Sequence, residues 1–256
     1  MKVWRSVPDW IERRPGLVGS IGFVPTMGAL HAGHASLVER CRRENDVVVV
    51  TIFVNPSQFN DPRDLERYPR TQEEDLRLLE ALGADEIVIP CEGDLYPHGY
   101  CFRIENDASA QLMEGARRPG HLQGVMTAVM KLLNLVRADR AYFGEKDFQQ
   151  LRVVTEMARD FFVPTEIVGC PTVREASGLA MSSRNALLSR EGHEKAAEIY
   201  RTLTSAATAG EASKSLVSAG FTVDYVEEHW GRRLAAVFLD GVRLIDNVPL
   251  PVSVCC

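Results

Sequence analysis

Val47-Val-Val-Val-Thr-Ile-Phe-Val54 is apolar except at Thr51, β-branched except at Phe53, and shows no polar alternation. A strand with one face in water would alternate; an unbroken run of this kind suits a central parallel strand covered on both faces. Ser20 to Val24, upstream, is a second short β-leaning run ending at Pro25. Between the two, Leu37, Val38 and Cys41 fall at i, i+1 and i+4 of a helix over 34–43. Downstream, Leu76, Leu79 and Leu82 mark a helix over 73–82, with Gly83 as its stop. EIVIP (86–90) follows as a strand, then a helical stripe through Val125, Val129, Leu132, Leu133 and Val136. Arg140–Phe143 reads as a strand end, Leu151, Val154, Met157 and Phe161 as another helix, and 165–171 as another strand. Strands alternating with helices in this way predict an α/β fold, a Rossmann-like doubly wound parallel sheet with its ligands beyond the carboxyl ends of the strands.

The pattern changes near Pro171. A Ser/Arg/Asn loop (181–189) leads into a helix expected over 190–209, and the segment 205–218 is helix-compatible with an undefined turn. Val223–His229 is then a strand, and 235–245 reads as a hairpin about Asp240-Gly241. The expectation is two domains: a larger one over 1–171 and a smaller C-terminal α+β domain over 172–256.

The 29 Lys and Arg residues against 35 Asp and Glu give a net charge of −6, which disfavours binding to nucleic acid or an anionic membrane surface. No apolar run is long enough to span a bilayer, and 1–16 lacks a secretory apolar core, so a soluble cytoplasmic protein is expected. Six cysteines without C-x-x-C or zinc spacing read as reduced thiols, the adjacent Cys255-Cys256 pair as a frayed terminus.

Four segments could carry chemistry. In PTMGALHAGH (25–34), His31 and His34 lie three apart at a helix start, and Gly28 and Gly33 allow close backbone approach. A helix N-terminus carrying two imidazoles suits a triphosphate, and H-x-G-H in this context is how the nucleotidyltransferase superfamily binds ATP. Two capping histidines on a glycine-rich turn would look the same. In FGEKDFQQ (143–150), Lys146 can meet a phosphate and Asp147 ribose hydroxyls; a solvated turn is the alternative. MSSRN (181–185) offers two hydroxyls and a guanidinium to an anion, or is an ordinary loop. Gln58, after the apolar strand, can orient a polar substrate or tie down its own loop.

Taken in order, VPTMGALHAGH (24–34), VVVVTIFVNPSQF (47–59), ERYPRTQEEDL (66–76), LYP (95–97), MEGARRPGHLQGV (113–125), FGEKDFQQL (143–151), VREASGLAMSSRN (173–185) and VRLIDN (242–247) resemble the pantoate–β-alanine ligases, or pantothenate synthetases. The resemblance implies an ATP-dependent ligase that forms a pantoyl adenylate and then passes the pantoyl group to β-alanine, releasing pyrophosphate and AMP. It implies catalytic roles for His34, His31, Lys146 and Arg184, with His34 as the acid beside the leaving pyrophosphate. ATP contacts would come from Met27, Gly28, His31, His34, Gly144, Glu145, Lys146, Asp147, Val173, Met181, Ser182, Ser183 and Arg184. Pantoate would meet Met27, Gln58 and Gln150. Magnesium would accompany ATP. Tyr68, Glu74 and Asp75 match a segment near the site, and the two acids are candidates for a role toward that ion, with no direct ligand assigned. A homodimer is implied too, as is closure of the small domain over ATP.

Two positions depart from the family pattern, Ser177 for Asp and Leu122 for Phe, and the region 205–222 is short. These bear on loop order and closure, not on a proposed ligand. His98, His121, His193 and His229 are read as surface or structural residues, with His121 set apart because it shares a family block with Arg118. Two rival readings remain: a nucleotidyltransferase that leaves the nucleotide on its product, and a non-catalytic nucleotide sensor. The second would show erosion of His31, His34, Lys146 or Arg184, and all four are present.

Overall fold

The run around Val50 is an inner strand of a six-stranded, all-parallel sheet, as its unbroken apolar pattern requires. In the computed structural model, which describes residues 1–251, the chain begins β1 (Lys2–Trp4), α1 (Val7–Arg13), β2 (Ile21–Thr26), α2 (Ala32–Glu44), β3 (Val47–Ile52), α3 (Pro62–Arg67) and α4 (Gln72–Ala81). It continues through β4 (Glu86–Val88), α5 (Glu92–Leu95), β5 (Pro97–Tyr100), α6 (Met113–Arg117), α7 (His121–Val136), β6 (Arg140–Gly144), α8 (Phe148–Asp160) and β7 (Glu166–Cys170). The sheet order is β1-β4-β3-β2-β6-β7.

Successive residues of β3 enter opposite cores. Val48 and Val50 pack with Val24, Leu37, Val38, Cys41, Leu79 and Tyr142 on one face. Val49 packs with Phe23, Val125, Met126, Leu133 and Phe143 on the other. Each buried aliphatic or aromatic side chain contributes about 1.5–3 kcal/mol, so a strand buried on both faces gains from every position. The order reverses at β2, from which β3 and β6 depart in opposite directions. The loops after β2 and β6 therefore flank the switch point where open α/β sheets place their ligands.

Three differences from the sequence reading have physical causes. Strand β2 continues through Pro25 to Thr26 instead of ending at the proline; β6 pairs only with Gly22 and Phe23, so Pro25 interrupts no ladder with β6. Strand β1 carries too little pattern to read locally in three residues. It is held on β4 from a distance, where the buried Glu86 carboxylate accepts from Trp4 Nε1 (2.7 Å) and from Arg13 Nε (3.0 Å) and Nη2 (2.7 Å). The helix expected over 190–209 is two helices, α9 (Arg190–Ala196) and α10 (Glu198–Ser205), meeting at Ala197. The undefined stretch resolves as α11 (Ala209–Ser218), started by Thr208 Oγ1 accepting from Glu211 N (3.2 Å).

The chain divides into two compact units. One is Met1–Glu145 with Gln149–Pro171; the other is Lys146–Phe148 with Thr172 onward. In the second unit, β8 (Thr222–His229), β9 (Arg232–Leu239) and β10 (Val242–Pro249) form an antiparallel sheet in the order β10-β9-β8. Asp240-Gly241 makes the predicted hairpin turn, with φ of 52° and 73°. Leu203, Leu216, Phe221, Ala235 and Val237 centre its core. Leu122 is buried in the core of the first unit, and Ser177 Oγ accepts from Leu179 N (3.3 Å). Cys41, Cys91, Cys101 and Cys170 are free thiols; Cys255 and Cys256 lie outside the described residues. Among the described residues no helix is long and apolar enough to cross a membrane.

Candidate active site

The loop from Met27 to His31 leaves the carboxyl end of β2 and enters α2, and its two histidines cap that helix. His31 is the N-cap of α2, its Nδ1 accepting from Gly33 N (3.1 Å). His34, three residues on, returns the bond, its Nδ1 accepting from His31 N (3.3 Å). This is the geometry of a capping box built from imidazoles. Its consequence is chemical. A backbone N–H can only donate, so Nδ1 of each ring is an acceptor, and each neutral ring carries its proton on Nε2. The rings lie 4.1 Å apart at a helix N-terminus, where the helix dipole favours an anion.

The loop conformation is unusual and is clamped. Gly28 has φ +78° and Ala29, a non-glycine residue, has φ +50°. A left-handed alanine costs about 1–2 kcal/mol and persists only where its surroundings hold it. Asp75 of α4, 3% exposed, does so: its carboxylate accepts from Ala29 N (3.0 Å) and Leu30 N (2.8 Å), and from Thr71 Oγ1 (3.2 Å). Thr26 Oγ1 accepts from Gly28 N (3.3 Å) while donating to the Thr51 carbonyl (2.7 Å). Both oxygens of Asp75, one of the two acids considered toward a metal ion, accept hydrogen bonds from the loop amides. Glu74 is exposed to solvent. Tyr68 is buried against Phe59.

Gln58 and Met27 are brought together, Nε2 of the glutamine 2.7 Å from the methionine sulfur. Gln58 sits in a 3-10 turn capped by Asn55, a residue the sequence reading left without a role. Asn55 is 2% exposed. Its Oδ1 accepts from Ser57 Oγ (2.9 Å) and Tyr96 OH (3.1 Å), and its Nδ2 donates to Gln58 Oε1 (3.2 Å) and to the Gly124 carbonyl (3.1 Å). The Asn-Pro dipeptide was the available signal of this turn. His121, read as structural, is buried: Nδ1 lies 2.8 Å from the Gln58 carbonyl and Nε2 3.0 Å from Arg118 Nη1. With the guanidinium donating to Nε2, the imidazole proton is on Nδ1 and goes to Gln58. The other three histidines are peripheral: His98 is exposed, and His193 and His229 pair with Glu175 (3.2 Å) and Glu227 (3.0 Å). Gly144 closes β6 and Glu145 follows it in the same unit, and Gln150 lies in the first turn of α8.

The remaining candidates belong to the second unit. Val173 and Met181 face each other across a small hairpin, Met181 N donating to the Val173 carbonyl (3.0 Å). Ser182 caps a 3-10 turn over Ser183–Leu187 by accepting from Arg184 N (3.3 Å). Buried Asn185 ties that turn to Ala180 O (3.1 Å) and Glu175 (3.2 Å), and Ser182, Ser183 and Arg184 are half-buried. Lys146 and Asp147, 3.7 Å apart, also belong here.

A doubly wound parallel sheet with an H-x-G-H helix start at its switch point, followed by a small α+β unit, defines the nucleotidyltransferase class of α/β proteins. The comparisons carry this to a family. A sequence model described as pantoate-beta-alanine ligase matches residues 2–249. A pantothenate synthetase of Bdellovibrio bacteriovorus is 49% identical over 97% of this chain and 99% of its own length, and one of Legionella pneumophila 47% identical over 96% and 99%. The crystal structure of a pantoate-beta-alanine ligase from Francisella tularensis, complexed with beta-gamma ATP and beta-alanine, superposes with a TM-score of 0.93 at 40% identity, covering 97% of both chains. The pantothenate synthetase of Thermus thermophilus gives 0.92 at 42% identity, over 98% of this chain and all of the other. The chain belongs to the pantoate–β-alanine ligase family, and is a ligase.

Proposed function

We propose that this ligase condenses (R)-pantoate with β-alanine by way of a pantoyl adenylate, on the residues assigned above. The observation that carries the reading is the reciprocal His31–His34 cap, which holds two Nε2–H donors together at the mouth of the switch point. In the first step a pantoate carboxylate oxygen attacks the α-phosphorus of ATP, the bond to the β-phosphate bridging oxygen breaks, and pyrophosphate leaves. A carboxylate is already ionised at neutral pH, so this step needs in-line placement and stabilisation of charge on the phosphates, and no general base. His34 Nε2–H stands as donor to the departing pyrophosphate, with His31 beside it. Lys146 and Arg184 supply positive charge, and Ser182 and Ser183 hydroxyls and amides. In the second step the β-alanine nitrogen attacks the acyl carbon, the carbon–oxygen bond to phosphate breaks, AMP leaves and the nitrogen loses a proton.

Gln58 and Gln150 are assigned to pantoate's hydroxyl and carboxylate oxygens, with Met27 against its methyl groups. Gly144, Glu145, Asp147, Val173 and Met181 are assigned to ribose and adenine. The working division is residues 1–171 for pantoate and nucleotide and 172–256 as the small domain that supplies the Ser-Ser-Arg turn. Among the described residues no group of three or more His, Cys, Asp or Glu side chains could cage a metal ion. Magnesium commonly keeps its waters and substrate phosphates as ligands, so it enters here as part of MgATP, and no step is routed through a protein-bound ion. We place the protein in the cytoplasm as a homodimer.

The test is isotope exchange between pyrophosphate and ATP. Exchange should require pantoate, and AMP should accumulate only when β-alanine is added. Exchange without pantoate, or a product that retains the nucleotide, would refute the assignment in favour of a nucleotidyltransferase. His34→Ala should slow exchange by about a hundredfold or more if the donor acts in the transition state.

A further inference from the structure

The VRLIDN segment ends on Asn247, which the proposed chemistry leaves unused. Asn247 is 2% exposed in β10 and every polar group it carries is engaged. Its N donates to Asp246 Oδ1 (2.7 Å) and its carbonyl accepts from Arg174 Nη2 (3.2 Å). Its Oδ1 accepts from Arg232 Nη1 (2.6 Å), and its Nδ2 donates to the backbone carbonyl of Lys146 (2.9 Å). The amide can adopt no other orientation, because a guanidinium only donates and a carbonyl only accepts. Arg232 itself meets the same chain segment at Phe148, its guanidinium 4.4 Å from the centre of the ring, with Trp230 6.5 Å from that ring. Behind Asn247, Arg174 grips Asp246 with two bonds of 2.6 and 2.9 Å and stacks at 3.8 Å on Tyr200. These contacts explain why Lys146–Phe148 groups with the C-terminal unit although the chain on either side of it does not.

The geometry points to Asn247 as the positioning residue for Lys146: it holds the lysine's backbone on the C-terminal sheet, so that the Lys146 ammonium is carried by the same compact unit as Ser182 and Arg184. Asn247 touches no substrate in this role; it acts through the lysine. The inference rests on the reading that Lys146 meets the phosphates of ATP. It assigns the VRLIDN segment a catalytic consequence separate from packing.

Asn247→Asp is the informative change. The aspartate keeps the acceptor for Arg232, strengthened by charge, and turns the donor facing the Lys146 carbonyl into a second acceptor. Pantoate-dependent exchange should fall about tenfold or more, because a bond to a buried carbonyl becomes a repulsion. The KM for ATP should rise while the KM for pantoate stays within twofold, since Met27, Gln58 and Gln150 belong to the other unit. In a Lys146→Ala background the same substitution should cost several-fold less, because the ammonium it positions is gone although the backbone carbonyl remains. Asn247→Ser, which loses both side-chain bonds without adding a charge, serves the same cycle if the aspartate variant does not fold. Calorimetric ATP affinities of all four proteins read the coupling without turnover. Wild type that shows no pantoate-dependent exchange sinks the ligase reading alone, and the affinities still decide the positioning role. An equal penalty in both backgrounds, or an unchanged KM for ATP, overturns it.

Discussion

Replacing Asp75 by asparagine removes one atom's worth of chemistry and should disable the loop that carries both histidines. The wild-type carboxylate accepts from two consecutive backbone amides, Ala29 N at 3.0 Å and Leu30 N at 2.8 Å, at a site where the side chain is 3% exposed. Asparagine has one acceptor oxygen, so whichever way its amide turns, an NH2 group faces one of those N–H donors. An orphaned buried donor costs about 1–3 kcal/mol, and the surviving bond weakens by about 1 kcal/mol as its acceptor loses charge. Relief of the carboxylate's own desolvation offsets part of this, leaving about 2–3 kcal/mol. The loop has a ready way to relax, since Ala29 is held at φ +50°. For a chain of this size the melting temperature should fall by about 5–10 °C. If the lost energy is what keeps His31 and His34 in register, exchange should slow by about 30- to 150-fold, at 1.36 kcal/mol per factor of ten. Differential scanning calorimetry and pyrophosphate exchange, measured well below the transition, check both numbers. Thr71→Val is the companion, removing only the 3.2 Å hydroxyl contact; it should cost about 1 kcal/mol and leave exchange within a few-fold. An Asp75→Asn protein that melts within 1 °C of wild type and exchanges within about twofold would show that the clamp does not hold the loop.

Gly124→Ala should damage pantoate binding from behind: a Cβ there would collide with the Ser57 backbone and lie 2.8 Å from Gln58 N, and a backbone cannot swing aside as a side chain can. The KM for pantoate should rise about tenfold or more, with the KM for ATP little changed, in steady-state assays with each substrate varied. Burial pushes the Cys41 thiol up to about 12 and raises that of Cys170 as well. Brief iodoacetamide treatment of the native protein at pH 8, mapped by mass spectrometry, should therefore label the exposed Cys91 and Cys101 and spare both buried thiols. Chelation by EDTA should abolish exchange, which added magnesium restores, while leaving the melting temperature of the nucleotide-free protein unchanged; a chelator-induced drop in melting temperature would reveal a structural metal.

The doubly wound sheet was legible because its signals are local. Val47–Val54 needs no knowledge of its neighbours to announce burial on both faces, and Leu37, Val38 and Cys41 announce a helix face from spacing alone. The motif residues were legible for the same reason: His31 and His34 are three apart, so a helix start brings them together wherever it sits. Strand β1 was not, because three residues carry no period and what fixes them is Glu86, more than eighty positions away. The break at Ala197 was equally hidden in a run of good helix formers.

By itself, then, the amino-acid sequence determined the fold class, the family, and which side chains are chemically able to meet a carboxylate and a triphosphate. These follow from periodicity and from short motifs whose members are neighbours along the chain. Only the tertiary structure decided what holds those side chains in place. Asp75 is a loop clamp because its oxygens meet amides some 45 residues away. Gln58 is oriented by Asn55 and backed by His121, and the backbone of Lys146 is fixed by Asn247, 101 positions later. Hydrogen bonds between residues distant in sequence leave no period and no spacing to read. Their partners become neighbours only when the chain has folded, and the physical rule that identifies them, that a buried polar group must be satisfied, applies to positions in space.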